Sequence, residues 1–113
     1  MTIEETRSQG AVIVAPAGRV DSTTSGQLDE HLIGLATAGE HRVVVDFGAV
    51  DYISSAGLRV MLTTAKRIKD RRGELALCRL GESVHQVFEL AGFLPLFAID
   101  SSVDAAVTRV TTQ

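Results

Sequence analysis

Three consecutive valines, Val43-Val44-Val45, constrain this chain more than any other feature. Successive side chains of a strand point to opposite faces of a sheet. An unbroken β-branched run therefore reads as a strand buried on both sides, the situation at the centre of an α/β sheet. The run Arg42-Val43-Val44-Val45-Asp46-Phe47 is expected to be that central strand.

The segments around it alternate in the same sense. Ile3 to Thr6 could form an edge strand, broken at Gly10, and Ala11 to Ala15 is a compact apolar run that ends at Pro16. Gly18 is expected to open a loop through Asp21-Ser22-Thr23-Thr24, which is rich in residues that cap helix N-termini. Leu28, Leu32, Leu35 and Ala36 then share one helical face, and Gly39 is placed to end that helix. After the valine strand, Gly48 to Ser55 reads as a loop. A helix follows with Leu58, Met61, Leu62, Ala65 and Ile68 on one face and Gly73 as its stop. Leu75 to Cys78 is a strand, and Glu82 to Ala91 a helix with Val84, Val87, Phe88 and Ala91 inward. Leu96 to Ile99 is a short strand, and Asp100-Ser101-Ser102 caps a last helix carrying Val103, Ala106, Val107 and Val110 on one face. The expected order is β-β-α-β-α-β-α-β-α. It implies a mixed sheet of four to five strands packed with about four helices, the crossovers parallel and the opening pair antiparallel.

A chain of 113 residues is expected to form one domain, spanning 1–113, since two cores would each be marginal. A hydrophobic fraction of 45% against 22% charged residues is globular. The formal net charge of -3 gives no bulk attraction to nucleic acid or to an anionic membrane. No apolar run approaches the roughly 20 residues of a membrane span, and the polar start Met1 to Gly10 is no secretory signal, so a cytoplasmic protein is expected. One cysteine, Cys78, excludes an internal disulfide framework. His31, His41 and His85 lie far apart in sequence and suggest no metal site. Asp46 and Asp51 are read as solvated loop acids. The basic run Lys66, Arg67, Lys69, Arg71 and Arg72 is read as a solvated helix end matched to the dipole. No Gly-x-Ser-x-Gly elbow or phosphate-binding Gly loop is present, which argues against an enzyme.

The segment Val50-Asp51-Tyr52-Ile53-Ser54-Ser55-Ala56-Gly57-Leu58-Arg59 links the central strand to the best-patterned helix. Loops after the carboxyl ends of parallel strands are where α/β proteins bind partners. Ser54 or Ser55 is the expected N-cap, and capping alone accounts for a serine there. A serine at a helix N-terminus is also a place where a phosphate is well received, by free N–H groups and the positive dipole end. Phosphorylation adds about -1.5 to -2 charges. An unpaired charge left in an interface costs on the order of 2–5 kcal/mol, so one hydroxyl can switch a complex on or off.

The run Tyr52-Ile53-Ser54-Ser55-Ala56-Gly57-Leu58 resembles the phosphorylation-site signature of STAS-domain anti-sigma factor antagonists, and it follows a strand ending Val45-Asp46-Phe47 as in that family. Gly18-Arg19-Val20-Asp21 resembles the family's Gly-x-x-Asp before the first helix. Val84-Val87-Phe88 followed by Ala91-Gly92-Phe93 is similar to its late helix. The resemblance implies a STAS fold. It implies phosphorylation at Ser55, with Ser54 the alternative, because Bacillus-type members carry Asp where this chain has Ser54. It implies a partner face of Asp21, Ser54, Ala56, Gly57, Leu58 and Arg59. It further implies a partner switch in bacterial transcription. The unmodified protein, a monomer when free, binds an anti-sigma factor that is also a serine kinase, and a PP2C-type phosphatase reverses the modification. ATP would belong to the kinase, and this chain would need no cofactor. The same resemblance allows an accessory subunit of a lipid-transport ABC complex, or of another signalling assembly, without a phospho-switch.

Overall fold

Residues 1–112 are described by the structure, a computed structural model. The chain opens with a hairpin of β1 (Thr2–Ser8) and β2 (Ala11–Val20), antiparallel from Thr2↔Ala17 to Ser8↔Ala11. Its two-residue turn, Gln9-Gly10, has φ of 53° and 88°, and two left-handed residues are what a tight hairpin matching the strand twist requires. Both strands outrun the expected Ile3–Thr6 and Ala11–Ala15. Pro16 does not end β2. It lies opposite Ile3, between the stretch of β2 that pairs with β3 (Arg42–Asp46) and the stretch that pairs with β4 (Ala49–Ile53). Its missing N–H therefore falls at a gap in the ladder.

The central strand stands as expected. Val43, Val44 and Val45 are each at most 1% exposed, and β3 runs parallel to both β2 and β5 (Glu74–Cys78). Val43 and Val45 face one core and Val44 the other. The first core is closed by α1 (Ser25–Thr37), α2 (Ser55–Asp70) and α3 (Glu82–Leu90), through residues such as Leu28, Met61 and Phe88. The second is closed by α4 (Val103–Thr111), through Ala106, Val107 and Val110, over Ala11, Ile13, Ala76 and Cys78. Strand β6 (Ala98–Asp100), preceded by a 3₁₀ turn at Leu94–Leu96, completes the order β1-β2-β3-β5-β6.

The sixth strand is the main departure from expectation. Gly48 to Ser55 is not all loop: Ala49–Ile53 forms β4, parallel to the second half of β2. Gly18 likewise does not open a loop but sits within β2 at φ 103°, where the register slips by one against β4 and leaves Asp51 unmatched. Among the described residues, the mixed α/β sheet with four helices is as expected, with six strands rather than four or five.

Smaller corrections have local causes. At the end of α2 the left-handed residue is Arg72, φ 58°, not Gly73, whose N–H returns to the Ile68 carbonyl. Thr64 joins the buried face of α2 because its hydroxyl donates to the Val60 carbonyl at 2.8 Å. Ala91 is exposed, just beyond the end of α3. Asp46 is no solvated loop acid. It is 8% exposed, accepts from the Gly48 N–H at 2.9 Å and pairs with Arg79 at 3.1 Å. The basic run is not wholly solvated either, since Arg71 donates to the Ala36 carbonyl and Arg67 stands 4.0 Å from Asp29 of α1. Cys78 is fully buried; burial, with the Asp46 carboxylate beside it, pushes its thiol up to about 12.

Candidate functional site

The carboxyl ends of β2 and β4 lie side by side, with Val20 opposite Ile53. The next residue of each strand carries a side chain singled out in the sequence, Asp21 after β2 and Ser54 after β4. The ends are tied together, since the Ser54 N–H donates to the Val20 carbonyl at 2.8 Å. Ser54 then caps α2. Its backbone is extended, its hydroxyl accepts from the Gly57 N–H at 3.4 Å, and its carbonyl accepts from the Leu58 N–H at 3.0 Å. Ser54 is thus committed to the helix cap, whereas Ser55, the first residue of α2, is exposed.

Gly57 and Leu58 were expected to meet a partner, but both are buried. A Cβ on Gly57 would stand 2.7 Å from Ile53 Cγ1 and 2.8 Å from Val20 Cγ1. Only a glycine lets the first turn of α2 lie this close to the strand ends. Leu58, 5% exposed, anchors the same turn in the core. These two residues position the surface rather than form it. The surface is made by Ser55 and Arg59, exposed, with Ala56 half-buried beside them.

Asp21 is half-buried and highly ordered by its neighbours. The Thr23 hydroxyl donates to its Oδ1 at 2.7 Å and the Thr23 N–H at 2.9 Å, and these bonds hold its carboxyl down at about 2. Arg19 Nε stands 3.5 Å from its Oδ2, and the Arg19 guanidinium lies over the Tyr52 ring at 4.2 Å from the centroid. Arg19 and Tyr52 face each other across the β2–β4 ladder. The pair is not legible in the sequence, because only the pairing of β4 with β2 brings the two together.

Helices α1 and α2 both begin at this end of the sheet, and an open groove of about 240 Å³ runs between them. It is lined by Ser25, Gly26 and Asp29 of α1 and by Ala56, Arg59, Val60 and Thr63 of α2. Neither helix carries an acidic residue in its first turn, whereas α3 has Glu82 and α4 has Asp104 there. The positive ends of these two dipoles, with Ser55 at the start of α2, therefore lack a first-turn carboxylate. Asp51 is exposed on β4, and His31 contacts Glu5 of β1 at 2.7 Å. Among the described residues no three His, Cys, Asp or Glu side chains are close enough to hold a metal ion, and no helix is long and apolar enough to cross a membrane.

Comparison with known proteins places these features in a family. The family model of the STAS domain matches residues 2–106. BtrV of Bordetella bronchiseptica, a protein assigned as an anti-sigma factor antagonist, is 42% identical over 99% of this chain and 97% of its own. The anti-sigma F factor antagonist of Paenibacillus polymyxa is 30% identical over 93% of this chain and 92% of its own. The Bacillus anti-sigma factor antagonist SpoIIAA, solved unphosphorylated and phosphorylated, shares the fold at 17% and 16% identity. Its TM-scores are 0.81 and 0.74, with 96% of this chain covered in both cases and 96% and 99% of SpoIIAA.

Proposed function

This chain belongs to the STAS-domain family, and from that premise we propose that it is an anti-sigma factor antagonist whose binding is switched by phosphorylation of Ser55. In its unmodified form it docks on an anti-sigma factor that is also a serine kinase and thereby frees a sigma factor. Transfer of the ATP γ-phosphoryl group to the Ser55 hydroxyl then ends the complex. A PP2C-type phosphatase hydrolyses the phosphoester and restores the antagonist. This chain contributes an acceptor hydroxyl and a docking face formed around Asp21, Ser54, Ala56 and Arg59, while the catalytic groups and ATP belong to the partners. The process belongs to the bacterial cytoplasm, where transcription is controlled.

The observation that carries this reading is the division of labour between the adjacent serines. Ser54 spends its hydroxyl on the helix cap, and Ser55 presents its own to solvent beside the Asp21 loop. A phosphate on Ser55 sits at the N-terminus of α2, whose first turn carries no acid, so the helix dipole favours it. The same charge in a desolvated interface weakens docking by on the order of 2–5 kcal/mol, roughly 30- to several-thousand-fold. The phosphorylated form of SpoIIAA is a precedent in a protein of the same fold.

The test is phosphorylation in vitro by an anti-sigma factor kinase and ATP, read by intact mass. One phosphate is expected on the wild type and on Ser54→Ala, and none on Ser55→Ala. Undiminished phosphate on Ser55→Ala would overturn the assignment.

A further inference from the structure

The residues of α2 that stay exposed are Ser55, Arg59, Thr63, Lys66, Lys69 and Asp70. At 100° per residue they fall within a strip about 120° wide along the helix. Ser55 heads the strip, and three cations against one carboxylate follow it. The chain as a whole is acidic, with a formal net charge of -3. Among the described residues, Arg59, Lys66 and Lys69 have no carboxylate within 4.0 Å, unlike their buried-side neighbour Arg67, which faces Asp29. Asp29 lines the same groove as Arg59, yet its nearest cation is Arg67. Cations without a carboxylate partner, on one face of a helix in an otherwise acidic protein, are open to carboxylates brought by another molecule.

We propose that this strip docks on a carboxylate-bearing face of the anti-sigma factor, and that Arg59 is the residue through which a Ser55 phosphate cancels the attraction. The inference rests on the reading of Ser55 as the phosphorylated residue and deepens it. Ser55 and Arg59 are four positions apart on one helix. Side chains at that spacing meet, and an anion N-terminal to a cation is the favourable order. A phosphate offers three acceptor oxygens to the planar guanidinium fork. Arg59 thus exchanges a partner carboxylate for the phosphate of its own helix. The added -1.5 to -2 charges remove the cationic surplus of the strip at the same time. An acidic protein face suits this surface better than an anionic lipid bilayer, because the strip is narrow and the rest of the chain is acidic.

Phosphoserine installed at position 55 during translation tests the first half, in the full chain. Its second ionisation is followed by phosphorus NMR against pH in the wild type, Arg59→Gln and Arg59→Lys. The expected result is a pKa lower by about 0.2–0.4 unit in the wild type than in Arg59→Gln, with Arg59→Lys between them. Equal values in wild type and Arg59→Gln would overturn the pairing. The second half uses a fluorescent hexaglutamate peptide and phosphatidylserine vesicles as probes at low salt. Peptide binding is expected to weaken at least tenfold in the Lys66→Glu/Lys69→Glu double variant and on phosphorylation at Ser55. No peptide binding, or binding to the vesicles alone, would overturn the acidic-protein assignment. All substituted positions are exposed, so circular dichroism is expected to show an unchanged fold. Because the phosphate is installed without a kinase, a failed kinase assay counts against the proposed function and leaves both of these readouts standing.

Discussion

The Val20 carbonyl accepts the Ser54 N–H at 2.8 Å, so the last residue of β2 is bonded directly to the cap of α2. One backbone bond fixes where the Asp21 loop sits relative to the first turn of the helix. The side chains around it follow from that placement, and so do the effects of changing them.

Gly57→Ala is expected to destabilise the protein by about 1–2 kcal/mol in urea denaturation. Alanine favours a helix interior by up to about 1 kcal/mol over glycine. Here that gain is outweighed, because the new methyl would meet the branched, buried carbons of Val20 and Ile53 at under 3 Å, and overpacking costs roughly 1–3 kcal/mol. A variant as stable as the wild type would mean that the first turn of α2 lifts off the strand ends at little cost.

The two serines are expected to separate in stability measurements. Ser54→Ala removes the cap acceptor and lowers unfolding free energy by about 0.5–1 kcal/mol, the low end for a cap because the bond is long at 3.4 Å. Ser55→Ala, at an exposed position, stays within about 0.5 kcal/mol of the wild type. Loss of modification without loss of stability is then a clean functional signature for Ser55.

Asp21 is expected to titrate near pH 2 by carbon NMR of its carboxyl group, because Thr23 donates twice to its charged form. Its pKa is lowered on folding, so its contribution to stability is complete above the ordinary aspartate value of about 3.9 and is lost as pH falls through 2. Thr23→Val removes the hydroxyl donor and leaves the backbone one, and the midpoint is expected to rise. An unchanged midpoint would show that the hydroxyl is not what holds the carboxylate.

Gln9→Asn is expected to stabilise the protein by about 0.5 kcal/mol. Gln9 is exposed and left-handed at φ 53°, and asparagine populates that region far more readily in a two-residue hairpin turn. A rise of a few degrees in Tm reads this out.

Much of this architecture is legible in the sequence, and the failures share a cause. The valine run reported its own burial because both faces of β3 are covered, so local composition and tertiary position agree. The α1 face and the Ser102 cap of α4 are equally local. Strand β4 is not. Its burial order has no two-residue period, since the slip at Gly18–Arg19 leaves Asp51 and Tyr52 both outward. It exists because β2 continues past Pro16 to meet it, which no window of neighbouring residues reveals. Within the site, the tract from Ser54 to Arg59 was found by its pattern, but which members face outward was set by the tight seat of Gly57. The burial of Asp46 is hidden from the sequence for a similar reason, since Arg79, which pairs with it, arrives from the end of a different strand.

Cys78 gives the molecule a practical property. The chain carries one thiol, and that thiol is sealed in the core with its ionisation pushed up to about 12. Reactivity follows thiolate and access, so maleimide reagents should pass over it in the native state. A second cysteine placed at exposed Thr63, on the wall of the groove between α1 and α2, would then take a dye alone, with no native residue removed first. The colour of that dye would report arrivals and departures at the proposed docking face in real time.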